Sequence, residues 1–138
     1  MAEHSTSSAA LRVVVVTPEA TVVDTTADFV ALPLVDGQYG IAPRHRPMIG
    51  RLGYGELRVR SDSGEQRYYT DGGFVQVNNN VVSVLTNRAV PAKKLDRAVI
   101  QQSLASAMSM QAAGDDQIVR RERLVAQARA QLHVASKA

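Results

Sequence analysis

A few stretches carry residue types that could do chemistry. Gly50-Arg51-Leu52-Gly53-Tyr54-Gly55 has the glycine content of a phosphate cradle. It lacks the Gly-Lys-Ser/Thr ending and runs into a strand pattern instead of a helix, so it reads as a β-turn. His4, His45 and His133 are scattered, without the close His or carboxylate spacing that sets two ligands on one helix face, and no metal site is expected. Asp115 and Asp116 are adjacent carboxylates at a helix start, where they diverge in direction and serve as a cap. The chain has no cysteine, which excludes a thiol nucleophile, a disulfide and a thiolate metal site. No serine sits in a Gly-x-Ser-x-Gly elbow. No catalytic residue and no cofactor is therefore expected, and a hydrolase would need a dispersed site. Two basic groups remain: Arg44-His45-Arg46, and Arg120, Arg121, Arg123 and Arg129 with Lys137. Such groups fit an acidic protein surface, an anionic lipid face or nucleic acid.

The elements that position these residues change character partway along the chain. Leu11 to Val16, Thr21 to Thr26 and Phe29 to Leu34 are β-branched and apolar and predict strands, separated by Thr17-Pro18 and closed by the turn pair Asp36-Gly37. Residues 36 to 47 hold two glycines and two prolines and predict an ordered, shaped loop with Arg44, His45 and Arg46 at its tip. Glu56 to Arg60 alternates, Leu57 and Val59 on one side and Glu56, Arg58 and Arg60 on the other. With Gln66 to Thr70 it makes a hairpin about the Ser61-Asp62-Ser63-Gly64 turn. Asp71-Gly72-Gly73 predicts another turn, followed by strands over Phe74 to Val77 and Val81 to Leu85 around Asn78-Asn79-Asn80. This spacing of short strands indicates an all-β sandwich or barrel.

After residues 85 to 94 the pattern is helical. Asp96 to Ala113 predicts one helix with Ile100, Leu104, Ala107 and Met108 on its apolar stripe, and Gly114 ends it. A second helix has Ile118, Val125, Ala128, Leu132 and Ala135 on one face, with Arg120, Arg123, Gln127 and Gln131 opposite. The two form an antiparallel hairpin whose alanine-rich stripes bury little area, so contacts with the body or a partner decide its conformation. Pro91 discourages helix across the junction, and a hinge is expected there. The division is residues 1 to 90 for the sandwich and 91 to 138 for the hairpin.

Charge follows the same division. Residues 1 to 92 hold eight arginines against nine acids, while residues 93 to 138 hold eight lysines and arginines against four acids. All the excess positive charge lies in the tail. A small basic nucleic-acid-binding protein is one reading of it, but aromatic residues are only 4% of the chain and none lies in the tail, so a base-stacking platform is missing. The first ten residues lack the positive start and apolar stretch of a signal peptide, and no run is long enough to span a bilayer.

The chain also resembles a known family. Val16-Thr17-Pro18-Glu19, the loop Asp36-Gly37-Gln38-Tyr39-Gly40-Ile41-Ala42-Pro43-Arg44-His45-Arg46-Pro47, Gly72 to Val77, Asn80 to Leu85 and Asn87-Arg88-Ala89 follow, in that order, the pattern of the epsilon subunit of F-type ATP synthase. Leu95-Asp96 and the ending Ala130 to Ala135 match more weakly. The resemblance implies an N-terminal antiparallel β-sandwich followed by a C-terminal two-helix antiparallel hairpin. It implies a non-catalytic central-stalk rotor subunit of a proton-translocating enzyme, docked on the gamma subunit and the c-subunit ring. The helices would meet the alpha and beta subunits and restrain ATP hydrolysis. No nucleic acid is implied, and membrane association comes only through the complex, at the cytoplasmic face of a bacterial inner membrane.

The resemblance assigns Gln38 and His45 to docking on the ring or rotor, and Arg120, Arg121, Arg123 and Arg129 to the inhibitory helix contacts. The family pattern commonly has an acid at Gln38 and glycine at Arg44. Some members bind ATP between the helices through Leu/Ile-Asp-x-x-Arg-Ala. Here Val99 stands at the arginine position, and Gln127 and Gln131 stand at the basic positions of the second helix. No nucleotide binding is expected.

Overall fold

The structure is a computed structural model and describes residues 10–136; His4 and Lys137 lie outside them. The chain opens with strand β1 (Leu11–Val16), whose Leu11, Val13 and Val15 are fully buried while Arg12 points out to Asp24 at 3.0 Å. Strand β2 (Thr21–Ala27) runs antiparallel to it. Strands β3 (Phe29–Leu34) and β4 (Gly37–Ile41) form a hairpin closed at Leu34 and Gly37. The shaped loop is thus shorter than its glycines and prolines predict. Its first half is an edge strand, and only residues 42 to 47 leave the sheet.

Two long strands join the halves of the sandwich. Strand β5 (Met48–Ser61) and strand β6 (Gly64–Asn78) pair from the Ser61–Gly64 turn back to Met48–Val77. The predicted turns at Gly50 to Gly55 and at Asp71 to Gly73 both lie inside these strands. Their glycines serve close approach and bending instead. A Cβ at Gly55 would lie 2.8 Å from the Pro33 side chain of β3. Gly73 has φ +114, and a Cβ there would lie 1.9 Å from the Leu85 carbonyl oxygen. At this bend β6 changes partner. Before it, β6 pairs with strand β8 (Ala89–Pro91); beyond it, with strand β7 (Val81–Leu85). One sheet with the order β2-β1-β7-β6-β5-β3-β4 is so folded into two faces, with β8 added along β6. Val30, Leu32, Leu57, Val75, Val77, Val82 and Val84 fill the space between them. The pairing is antiparallel throughout except for β1 with β7, which is parallel. The sequence spacing could not reveal that pair, since it joins strands far apart in the chain.

β8 and a single 3-10 turn (Ala92–Lys94) occupy the junction that composition marked as a hinge. Helix α1 (Arg97–Met108) follows, capped by the Asp96 carboxylate, which accepts from the amides of Ala98 and Val99 at 3.0 and 3.4 Å. It stops five residues before the predicted Ala113. The Ser109 hydroxyl donates back to the Ser106 carbonyl, and Arg121 donates to the Met108 carbonyl at 3.0 Å, which satisfies helix-end acceptors. Helix α2 (Asp115–Ser136) returns antiparallel, with Asp115 and Asp116 in the first turn, where negative charge suits the helix dipole. Its second half lies across β5 and β6.

Candidate functional site

The alternation in β5 and β6 sets Glu56, Arg58, Arg67 and Tyr69 on the face turned away from Leu57 and Val59. That outer face is buried where α2 covers it. The Glu56 side chain is only 6% exposed and forms an ion pair with Arg67, with Arg58 Nε 3.6 Å from its other oxygen. Arg67 Nη2 also donates to the Val134 carbonyl at 2.8 Å. One guanidinium thereby neutralises a buried carboxylate and caps the last turn of the tail.

A second polar group lies at the bend. Asp71 Oδ1 accepts from the Tyr69 hydroxyl at 3.2 Å and from Gln127 Nε2 at 2.9 Å, and the Gln131 side chain lies beside the same hydroxyl. Burial, reinforced by the Asp71 carboxylate, pushes the Tyr69 hydroxyl well above its ordinary value. The backbone of Asp71 holds the junction: its amide reaches Thr86 Oγ1 at 3.2 Å and the Arg88 carbonyl, and its carbonyl accepts from Asn87 Nδ2 at 3.3 Å. Tyr69, Ala92 and Val134, flanked by Leu95 and Ala130, make the small apolar cluster beneath α2. Gln127 and Gln131 therefore face the sandwich, contrary to the helical pattern that put them opposite the apolar stripe. The stripe read from α2 was too narrow: at 100° per residue these glutamines border Ala128 and Ala135, and the sandwich offers them polar partners.

The sequence-predicted docking residues lie on opposite sides of β4. Gln38 Nε2 donates to the Glu56 carbonyl at 3.3 Å. Its neighbour Tyr39 points the other way, and its hydroxyl meets His45 Nε2 at 2.7 Å, with the rings edge to face. His45 Nδ1 hydrogen-bonds the Arg46 carbonyl at 2.6 Å. Arg44 has φ 66, and its amide donates to Asn80 Oδ1 at 2.6 Å, which ties the loop to the β6–β7 turn. Arg44 and Arg46 are exposed. In the tail, Arg120, Arg123 and Arg129 are exposed, whereas Arg121 is half-buried through its bond to Met108.

A further surface escaped the sequence reading. On the outer face of the β5-β6-β7 half, Ile49 is 77% exposed, Phe74 54% and Leu85 55%, with Arg51 and Phe74 paired directly and Phe74 next to Leu85. Contiguous apolar exposure of this kind marks interaction surfaces. Each residue alone looked like an ordinary strand apolar; only cross-strand register gathers them. Among the described residues no group of three or more His, Asp or Glu could hold a metal. No helix among them is long and apolar enough to cross a membrane.

The fold and these two faces define a β-sandwich that covers one outer surface with its own helical tail and leaves the other open. Residues 10–92 match the family model described as ATP synthase, Delta/Epsilon chain, beta-sandwich domain. The ATP synthase epsilon chain of Rhodopirellula baltica is 48% identical over 125 residues, which span 91% of this chain and 98% of that relative. The epsilon chain of a Synechococcus species is 41% identical over 97 residues, 70% of this chain and 71% of that one. A chain in the structure of the Euglena gracilis mitochondrial ATP synthase OSCP/F1/c-ring assembly superposes with TM-score 0.83 at 20% identity, covering 94% of this chain and 82% of that chain. The chain belongs to the ATP synthase epsilon-chain family.

Proposed function

We propose that this chain is the non-catalytic central-stalk rotor subunit of a proton-translocating F-type ATP synthase, with residues 1 to 90 as its docking body and 91 to 138 as its regulatory tail. The observation that carries the reading is the open apolar face of Ile49, Phe74 and Leu85, opposite in character to the face sealed by α2. A rotor part must hold one partner permanently while a second element stays available for regulation. The open face takes the gamma subunit, and the end bearing Gln38 and His45 approaches the c-subunit ring. When the tail extends, Arg120, Arg121, Arg123 and Arg129 meet acidic surfaces of the alpha and beta subunits and restrain hydrolysis. The complex holds the subunit peripherally at the cytoplasmic face of the inner membrane.

The test is ATP hydrolysis by the reconstituted complex. Deleting residues 92 to 138 also uncovers the Glu56–Arg67 pair, so charge reversal is the cleaner variant. Arg120→Glu with Arg123→Glu and Arg129→Glu leaves the docking face intact and raises hydrolysis, while gamma binding is unchanged. Unchanged hydrolysis contradicts an inhibitory tail.

A further inference from the structure

We infer that Gln127 and Gln131 form a polar latch that keeps the tail docked by engaging Asp71 and Tyr69, and that this latch sets how readily the helices leave the sandwich. The inference deepens the reading above, because it assigns the control of tail release to named side chains.

The apolar contribution to docking is small. The cluster beneath α2 consists of Tyr69, Ala92 and Val134 with Leu95 and Ala130 at its margin. Two of these five are alanines, so the sandwich holds α2 with little of the area that secures its own core. Polar contacts supply the remainder: Arg67 donates to the Val134 carbonyl at the end of the helix, and a second set at the bend is arranged in series. Gln127 and Gln131 are one helical turn apart; Gln127 donates to the Asp71 carboxylate at 2.9 Å, and Gln131 lies beside the Tyr69 hydroxyl, which itself donates to Asp71 at 3.2 Å. Tyr69 is fully buried and Asp71 nearly so, which makes each bond worth more than it would be in water.

The latch is also connected to the junction. The same Asp71 binds the junction through Thr86, Asn87 and Arg88. A glutamine that leaves Asp71 therefore frees a carboxylate anchored where the chain must bend for the tail to move. The amides are neutral, so the catch is modest and reversible. A cation at either position would form a stronger pair with Asp71 and hold the tail more firmly.

Hydrogen exchange on the isolated full-length chain tests this without any partner, so its failure is distinguishable from failure of the rotor assignment. Gln127→Ala with Gln131→Ala accelerates exchange of the α2 amides beyond residue 127 by about tenfold, equivalent to roughly 1.4 kcal/mol, and leaves the β5 and β6 amides at their original rates. Tyr69→Phe combined with Gln131→Ala accelerates α2 no more than Tyr69→Phe alone, since without the hydroxyl Gln131 has no partner left to lose there. Gln127→Arg slows exchange below that of the parent chain. Unaltered α2 exchange in the double alanine variant, or equal acceleration across the sandwich strands, overturns the latch.

Discussion

Replacing Arg67 by alanine is the sharpest perturbation of the covered face. Glu56 is 6% exposed and Arg67 16%, so the variant leaves a buried carboxylate without its main partner. Removing one member of a buried pair costs roughly 3–5 kcal/mol. Arg58 sits 3.6 Å away and is 41% exposed, which lets it move in and places the cost near the lower bound. The lost bond to the Val134 carbonyl adds about 1 kcal/mol. The expected total is about 4 kcal/mol, a large fraction of the 5–15 kcal/mol typical of a domain. Urea unfolding of the full-length chain, followed by circular dichroism, reads it as a lower midpoint. Combining Glu56→Gln with Arg67→Met removes both charges and recovers most of the loss, because a buried pair is worth little relative to well-packed neutral groups. A single variant within about 1 kcal/mol of the parent chain, or a double variant no better than the single, refutes the reasoning.

Other expectations follow from the same geometry. The Tyr69 hydroxyl titrates above its ordinary value of 10.0. The folded state therefore favours the protonated phenol: its contribution is complete below about pH 10 and declines as pH rises, by at most about 1.4 kcal/mol per unit. Alkaline titration by near-ultraviolet absorbance shows a late tyrosine that Tyr69→Phe removes; a Tyr69 that ionises together with the exposed tyrosines contradicts the buried docking. Gly73→Ala, with φ +114 and its Cβ 1.9 Å from the Leu85 oxygen, costs about 3 kcal/mol or more, and thermal melting shows a drop of more than about 10 °C. An unchanged melting temperature would mean the bend relaxes freely. The groove between the helices, about 450 Å³, is lined by Val99, Gln102, Ser103, Ser106, Ala107, Met110 and Leu124, with no cation to pair with phosphate. Titration calorimetry with ATP accordingly gives no micromolar binding, and micromolar affinity contradicts this.

Much of the architecture was legible because alternation and helical period are local properties. Leu11 to Val16, the Ser61–Gly64 hairpin and the second helix follow directly from neighbouring residues. The long strands were not, because glycine pairs normally signal turns. In β6 Gly72-Gly73 is a bend demanded by the Leu85 backbone of another strand, which no local pattern contains. The covered face shows the same limit. Alternation correctly turned Glu56 and Arg58 away from the core, but whether an outward face meets water or a helix depends on where residues some seventy positions later return. Gln127 and Gln131 were misplaced for this reason, and the apolar group of Ile49, Phe74 and Leu85 became visible only through register. Arg120 and Arg123, placed opposite the apolar stripe, do lie exposed.

Size-exclusion chromatography of the chain co-expressed with the gamma subunit of the same ATP synthase tests the rotor assignment most directly. The two co-elute as a one-to-one complex, and Phe74→Glu with Leu85→Glu abolishes co-elution while the sandwich stays folded. A chain that elutes alone beside free gamma subunit contradicts the account.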